Sequence, residues 1–263
     1  MKLLQDFIAP YVRVIERNGQ VDLAAHHGTA FFIDSDGTFV TARHVVESCA
    51  ADVNKYGGIP AIVMRKPNDD QARYCGKISA VNFADDPFDV AVGRVTLPSR
   101  ACFMFVEDVK AWLWEDVYTA GYPETAVHRN AGAFTVDARG QKGHILRTIK
   151  SGHVLLEPHP AVIEISFPIT MGMSGAPLVM RNILGADGTP IPCFALLGVC
   201  VANATSRLVD FSYSEVKDGG NELTETTTRI EEYGIAHDIR PLADWQPACL
   251  SGVTLKAAII PSA

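Results

Sequence analysis

The sequence lacks the features that would place it in a membrane or on a nucleic acid. Its apolar runs, such as residues 193–202, are strand-sized and fall short of the ~18 residues that a membrane-spanning helix needs. Lys and Arg are not clustered, and 23 basic residues against 30 acidic ones give a net charge of −7. A protein that binds nucleic acid through bulk electrostatics needs a basic face. We therefore predict no membrane and no nucleic acid among its partners.

The six cysteines also lack a pattern. They are scattered, without CxxC spacing and without nearby histidine pairs, whereas a zinc site needs clustered ligands. We expect no metal and no cofactor. We also expect no secretory signal, because Asp6 interrupts the first apolar stretch. Together these absences predict reduced thiols and a cytoplasmic location.

What the sequence does contain is a series of short β-branched runs separated by Gly and Pro. The turn Asp34-Ser-Asp-Gly37 supplies the glycine that a tight hairpin requires at positive φ. This pattern favours an all-β fold, a barrel or a sandwich, over βαβ units. The candidate strands are residues 31–33, 39–41, 61–64, 77–81, 90–95, 116–120, 132–136, 144–146, 153–156, 162–165, 177–180, 195–201 and 233–236.

Three segments fit the pattern less well. Residues 6–16 are compatible with a short helix or an edge strand, since Pro10 fits neither interior. Residues 208–229 are polar and rich in Glu and Thr, so we predict a long surface loop over 204–232. We hypothesise that this loop acts as a lid. Residues 239–245 are expected to form one or two helical turns.

His44 is the first candidate for catalysis. It ends the segment Thr41-Ala-Arg-His44, which delivers an imidazole at the mouth of a strand. Histidine exchanges a proton near neutral pH because its unperturbed pKa is about 6.5. A purely structural histidine fits the same residues. His26 and His27, which precede Gly28, are predicted to be solvent-exposed and receive no role.

The second candidate is a carboxylate in Asp86-Pro-Phe-Asp-Val-Ala-Val92. Asp85 and Asp86 compete with Asp89, and we favour Asp89 because it directly abuts the apolar run at the edge of the core. Its carboxylate could accept a hydrogen bond from an imidazole and fix the tautomer. The alternative is an ordinary turn residue that caps backbone N–H groups.

Ser174 is the third candidate, in Met171-Gly-Met-Ser-Gly-Ala-Pro177. A serine between glycines can occupy a tight turn, where substrate approaches closely and backbone N–H groups point outward. A glycine-rich turn with a spectator serine is the alternative.

Together, the three segments resemble the trypsin/chymotrypsin-like serine peptidase family, in particular its HtrA-like and bacterial members. They follow its chain order of His, Asp and Ser. The resemblance implies an all-β chymotrypsin-like fold of two antiparallel six-stranded β-barrels, with the active site in the cleft between them. The corresponding ranges are an N-terminal extension over 1–19, a first barrel over 20–108, a second over 109–245 with the loop 204–232, and a tail over 246–263.

The resemblance also implies roles. Ser174 would be the nucleophile of an endopeptidase that forms an acyl-enzyme, His44 the general base and then acid, and Asp89 the orienting carboxylate. The backbone N–H groups of Gly172 and Ser174 would form the oxyanion hole. The expected partner is a protein or peptide substrate, with room for a regulatory partner encoded elsewhere.

Substrate should bind as an extended strand along residues 197–203. The side chain before the cleaved bond would enter a pocket without charged residues, so we expect it to be small or apolar. Residues 233–236 complete the pocket. Its other predicted residues are Pro168, Ile169, Thr170, Val201, Ala202 and Asn203.

Several positions depart from the family pattern. Met173 replaces the Asp that pairs with a newly cut N-terminus, and Val201 lacks the hydroxyl that many relatives aim at the triad Asp. No PDZ-like module is expected after residue 245. The alternative function is a catalytically silent protease fold that keeps a peptide-binding cleft. Esterase chemistry by a nucleophile elbow needs Gly-x-Ser-x-Gly with the histidine after the serine, and residues 172–176 do not match it.

Overall fold

The computed structural model describes residues 4–66, 69–97, 99, 101–107, 111–130, 133–152, 158–181, 193–216 and 222–259. Strands dominate, which confirms the all-β prediction. The strands are β1 (Ile8–Arg17), β2 (Gln20–Phe32), β3 (Thr38–Thr41), β4 (Ile59–Lys66), β5 (Asp69–Phe83), β6 (Ala91–Val95), β7 (Phe103–Phe105), β8 (Asp116–Gly121), β9 (Val127–Asn130), β10 (Ala133–Val136), β11 (Arg139–Ile149), β12 (Val162–Ile165), β13 (Pro177–Met180), β14 (Phe194–Val216) and β15 (Glu222–Asp238).

The first barrel is a closed ring in the order β1-β2-β3-β6-β5-β4. Its interior holds the fully buried aromatic side chains of Phe32 and Phe39, and Tyr11 packs edge-on against Phe39 with ring centroids 6.1 Å apart. Phe31, on the opposite face of β2, packs outside the barrel against Phe103 with ring centroids 5.2 Å apart. Each such side chain contributes roughly 1.5–3 kcal/mol through its burial. The predicted hairpin between β2 and β3 is present, with Gly37 at φ 83°.

The expected N-terminal extension over residues 1–19 is wrong for residues 8–17. These residues form β1, which pairs with both β2 and β4 and is needed to close the barrel. Pairing between β1 and β4 begins at Tyr11, one residue after Pro10. On the β4 side Pro10 therefore has no partner, and its missing N–H costs no hydrogen bond there. The choice left open between helix and edge strand is thus resolved: a short 3-10 turn over Leu4–Phe7 leads into a barrel strand.

The second barrel is a ring in the order β13-β8-β11-β12-β15-β14, which closes because β14 also pairs with β13. β7 adds to it in parallel at the start of β14, and β9 and β10 form a separate pair. Its core contains the buried side chains of Ile163, Ile165 and Leu197. The candidate strand at residues 153–156 lies outside the described residues.

The prediction of a long loop over 204–232 is wrong for the described part of that range. β14 and β15 continue beyond the barrel as an antiparallel hairpin, paired from Gly198 with Asp238 to Val216 with Glu222. Both faces of this extension meet solvent, so it carries no apolar alternation that would mark a strand. Its Ser and Thr side chains instead pair across the strands, as in Ser214 with Thr224 at 2.8 Å.

Helix α1 (Arg43–Tyr56) follows β3 and was not predicted. It buries Val45, Val46 and Cys49 on one side, and it ends at Gly57, which has φ 72°. Because the helix begins at Arg43, His44 lies in its first turn.

The C-terminal residues pack onto the first barrel. A 3-10 turn over Ala248–Leu250 and the short helix α2 (Leu255–Ala258) bury Leu250, Leu255 and Ile259 in the same cluster as the barrel interior. The 3-10 turn Arg240–Leu242 matches the helical turn expected for 239–245. No helix among the described residues is both long and apolar enough to cross a membrane.

Candidate active site

The structure brings His44 and Asp89 into direct contact. The backbone N–H of His44 donates to Asp89 Oδ1 at 2.9 Å, and His44 Nδ1 lies 2.5 Å from Asp89 Oδ2. A carboxylate only accepts, so the proton of the neutral imidazole is on Nδ1 and Nε2 carries a free lone pair. The His44 side chain is 46% exposed, which leaves this lone pair accessible from the cleft.

The electrostatics of Asp89 keep it ionised. Burial alone would raise the pKa of its carboxyl, but the hydrogen bonds from the side chain and backbone of His44 outweigh burial, and the pKa is lowered. The competing residue Asp86 is 86% exposed and instead pairs with Arg43, its Oδ1 lying 2.5 Å from Nη1. The contact with His44 thus belongs to Asp89, the carboxylate that the sequence favoured, and not to Asp86.

The turn that carries Ser174 is fixed by both barrels. The Ser174 carbonyl accepts a hydrogen bond from the N–H of Thr29 in β2 at 2.8 Å, and the N–H of Gly175 donates to Cys200 in β14 at 2.8 Å. Gly175 has φ 86°, and a Cβ there would lie 2.1 Å from the Thr29 carbonyl oxygen. Gly28 sits between Ser174 and Val45, which follows His44 in α1. Glycine is thus required where the serine turn approaches the histidine.

No hydrogen bond joins Ser174 Oγ to His44 in this structure, although both residues are described. In unliganded enzymes of this chemistry the bond between nucleophile and base is often long and tightens when substrate binds. The fixed part of the arrangement is the imidazole–carboxylate pair.

The backbone around Ser174 leaves two N–H groups free. The N–H of Met173 donates to Thr170 at 2.9 Å, and the Gly172 carbonyl accepts from Thr29 Oγ1 at 2.9 Å. Among the described residues, nothing accepts a hydrogen bond from the N–H of Gly172 or of Ser174. Gly172 has φ 90°, the conformation that the turn requires there.

Two of the segments predicted to line the pocket contact each other through Asn203. Asn203 in β14 reaches the segment before the serine: its Oδ1 accepts the N–H of Ile169 at 2.6 Å, and its Nδ2 donates to the Ile169 carbonyl at 2.9 Å. Gly234 in β15 packs so closely that a Cβ would be 2.5 Å from the Phe167 carbonyl oxygen. Two hydrogen bonds from one side chain therefore tie residues 168–170 to residues 201–203.

Residues 28–182, more than half of the chain, match the family model described as trypsin-like peptidase domain. The chain belongs to this family. The uncharacterized protein y4bJ of Sinorhizobium fredii (strain NBRC 101917 / NGR234) is 31% identical over 178 residues. That alignment covers 67% of this chain but 24% of y4bJ, so the chain spans about a quarter of that relative.

Two solved structures are similar to this trypsin-like peptidase domain. One is an inactive mutant form of Rv3671c from M. tuberculosis H37Rv, with a TM-score of 0.48, 18% identity and coverage of 89% of this chain and 82% of that chain. The other is Deg5, with a TM-score of 0.46, 17% identity and coverage of 75% and 80%.

In this trypsin-like peptidase domain, His26 and His27 are not exposed as predicted. The His27 side chain is 6% exposed and contacts Ser48 and Asp52 of α1, at 3.1 Å and 3.4 Å. His26 lies so close to Gly172 that a Cβ on Gly172 would be 2.8 Å from His26 Cε1. Burial lowers the pKa of His26 to about 4. Both histidines are in β2, and α1 and the serine turn cover them.

Sequence reasoning missed His237, which supports Asp89 from the second barrel. The N–H of Asp89 donates to His237 Nδ1 at 3.0 Å, and the ring of Phe88 meets that of His237 edge-on at 6.5 Å. Burial lowers the pKa of His237 to about 4, so it is neutral and can accept this bond. No sequence signal pointed to it: the hydroxyl that Val201 lacks would donate to the Asp89 carboxylate, whereas His237 accepts from the Asp89 backbone N–H.

Proposed function

We propose that this chain is a serine endopeptidase that cleaves peptide bonds with Ser174, His44 and Asp89. The observation that carries the proposal is the contact of His44 Nδ1 with the ionised Asp89, next to a serine turn that both barrels hold in place. Membership of the trypsin-like peptidase domain family agrees with a hydrolase of this type.

In the proposed mechanism His44 Nε2 takes the proton of Ser174 Oγ as the oxygen attacks the carbonyl carbon of the substrate. Asp89 stabilises the imidazolium that forms. The N–H groups of Gly172 and Ser174 would donate to the negative oxygen, and loss of one such donor typically costs ~2.7–4 kcal/mol in the transition state. His44 then protonates the leaving amine, the C–N bond breaks and Ser174 is acylated. Water then attacks the acyl carbon as His44 takes its proton, the ester bond to Ser174 Oγ breaks to release the acid, and His44 returns the proton to Oγ.

The substrate is proposed to lie as an extended strand along β14, with the side chain before the cleaved bond between residues 168–170 and 201–203. These residues are uncharged, so neither Lys, Arg, Asp nor Glu would find an ionic partner there. Asn203 already bonds to Ile169 across this region, which favours a small or apolar side chain.

The second candidate is a peptide-binding module without catalysis, and the missing hydrogen bond between Ser174 and His44 favours it. Turnover of a peptide library with varied residues before the cleaved bond separates the two. Wild type should cleave after small or apolar residues, while Ser174→Ala and His44→Ala should not. Ser79→Ala, which replaces an exposed serine of β5 in the first barrel, is the matched control. Peptide binding without cleavage by folded wild type would favour the silent module.

A further inference from the structure

Beyond the candidate site, β14 continues as a long strand with one unpaired edge. Up to Val199 that edge pairs with β13. In the described part of the chain that follows, residues 202–209 and 211–214 pair with β15 on the other side and with no described strand on this one. An unpaired edge presents a row of N–H and C=O groups that match another extended chain.

This edge begins at the serine turn. The N–H of Gly175 donates to the Cys200 carbonyl, and the N–H of Cys200 donates to the Ala176 carbonyl at 2.9 Å. From that anchor the strand runs outward past Asn203, at ~3.3 Å per residue. A chain paired with β14 and leaving the serine would therefore meet residues 203–209 next. A bulge lies between Val209 and Phe211, after which the hairpin continues.

We propose that this free edge is an extended substrate-binding site, on which the part of the substrate N-terminal to the cleaved bond adds as a further antiparallel strand. This inference rests on the proposed function, because it assumes that Ser174 cleaves the segment that the edge binds. It lengthens the contact well beyond residues 201–203 and makes an extended segment, rather than a short peptide, the preferred ligand.

The side chains along the edge define the ligand's chemistry. Leu208, Phe211 and Tyr213 pair with residues 229, 227 and 225, so they share one face of the hairpin despite the bulge. They are 40%, 57% and 52% exposed. Side chains of an added strand alternate between faces, so apolar residues at every second position would cover these three.

The charges on the hairpin favour a basic ligand. Arg229 is engaged with Asp210 at 3.8 Å and with Glu231 at 3.3 Å. Glu225, Glu232 and Arg207 form no ion pair among the described residues. Residues 204–216 and 222–232 contain six carboxylates against two arginines, so the hairpin is acidic. Lys or Arg between the apolar positions would complement these carboxylates, whereas a second copy of the same hairpin would bring further carboxylates. We therefore assign the edge to a basic, alternately apolar substrate segment and not to self-association.

The test measures binding of a fluorescein-labelled peptide of alternating Leu and Lys to the Ser174→Ala protein, so that turnover does not interfere. About 14 residues span the edge. Two further peptides carry N-methyl groups on every second residue, in one phase or the other. Only the peptide whose methyl groups replace the N–H groups that face β14 should bind more weakly, by about tenfold or more. Equal binding of all three peptides would overturn the proposal.

Protein variants locate the contact. Phe211→Ser with Tyr213→Ser should weaken binding about tenfold, while Ile230→Ser, equally exposed but on β15, should not. A truncated chain lacks the outer hairpin, because Asn-Gly replaces residues 206–231. Thr205 and Glu232 are paired across the hairpin, so a two-residue turn can join them. This chain should lose peptide binding but keep labelling of Ser174 by a fluorophosphonate.

The outcomes separate the two proposals. Failure of wild type to label, with binding that N-methylation still weakens, would overturn the proposed function and support the edge as a peptide site. Normal labelling with unchanged binding by the truncated chain would overturn the edge alone. A dimer in sedimentation velocity that truncation converts to monomer would assign the edge to a second copy and overturn the proposal.

Discussion

The backbone N–H of Asp89 donates to Nδ1 of His237 over 3.0 Å, and this bond joins the two barrels at the candidate site. Asp89 precedes β6 of the first barrel, whereas His237 belongs to β15 of the second. The carboxylate that orients His44 is thus held through its own backbone by a buried, neutral imidazole. His237 acts through Asp89 and is a positioning residue.

Replacing His237 should disturb the orientation of His44. We expect His237→Ala to slow fluorophosphonate labelling of Ser174 by between about tenfold and about 100-fold, because small displacements of a catalytic group cost this much. His237→Asn places an acceptor near the position of Nδ1 and should restore most of the rate. The low-field proton resonance of His44 Nδ1–H should broaden in the Ala variant and return in the Asn variant. An unchanged resonance in both would remove the positioning role.

Buried histidines should make the fold sensitive to acid. The pKa values of His26 and His237 fall from 6.5 to about 4 because of burial. Below pH 6.5 the unfolded chain therefore takes up protons that the native state does not, and the free energy of unfolding decreases until the pH reaches about 4. Urea unfolding at several pH values should show a smaller decrease for His26→Phe than for wild type.

The matched control for acid sensitivity is His128→Phe. The His128 side chain is 57% exposed, and its contact with Asp137 is also at the surface. Its replacement should leave the pH dependence of unfolding close to that of wild type. If both variants change the slope equally, burial of His26 is not the cause.

Glycine at position 175 should be irreplaceable for stability. Gly175→Ala must place a Cβ 2.1 Å from the Thr29 carbonyl oxygen at φ 86°, so we expect a loss of ~3 kcal/mol or more in the free energy of unfolding. Gly152→Ala is the control, because Gly152 has φ 80° but open space around it. It should lose about 1 kcal/mol. Equal losses in urea unfolding would show that the close approach to Thr29 does not matter.

Asn203 should limit the size of the side chain accepted before the cleaved bond. Asn203→Gly removes both hydrogen bonds to Ile169 and frees the space that the amide fills. Reaction with a diphenyl phosphonate bearing a Phe side chain should then rise at least about tenfold relative to one bearing Ala. An unchanged ratio, with total fluorophosphonate labelling intact, would contradict this role.

The pairing of His44 with Asp89 was predicted from three short motifs in the chain order of a known family, because each motif alone also fits a residue without a catalytic role. The hairpin was missed because neither of its faces is buried and most of residues 204–232 are polar, so the short alternation over residues 211–214 was too brief to mark a strand. β1 was left open between a helix and an edge strand because Pro10 weakens both patterns, and its place in the barrel depends on pairing with β4, about 50 residues further along the chain. His237 contacts Asp89 across 148 residues, a relationship that no local pattern carries.

The most direct test of the account is reaction of the purified protein with a fluorophosphonate probe, with the modified residue located by mass spectrometry. Base-activated Ser174 predicts one adduct per chain, on Ser174, and its loss in both Ser174→Ala and His44→Ala. Folded wild-type protein that forms no adduct, or forms it equally well in His44→Ala, would contradict the claim that His44 and Asp89 activate this serine.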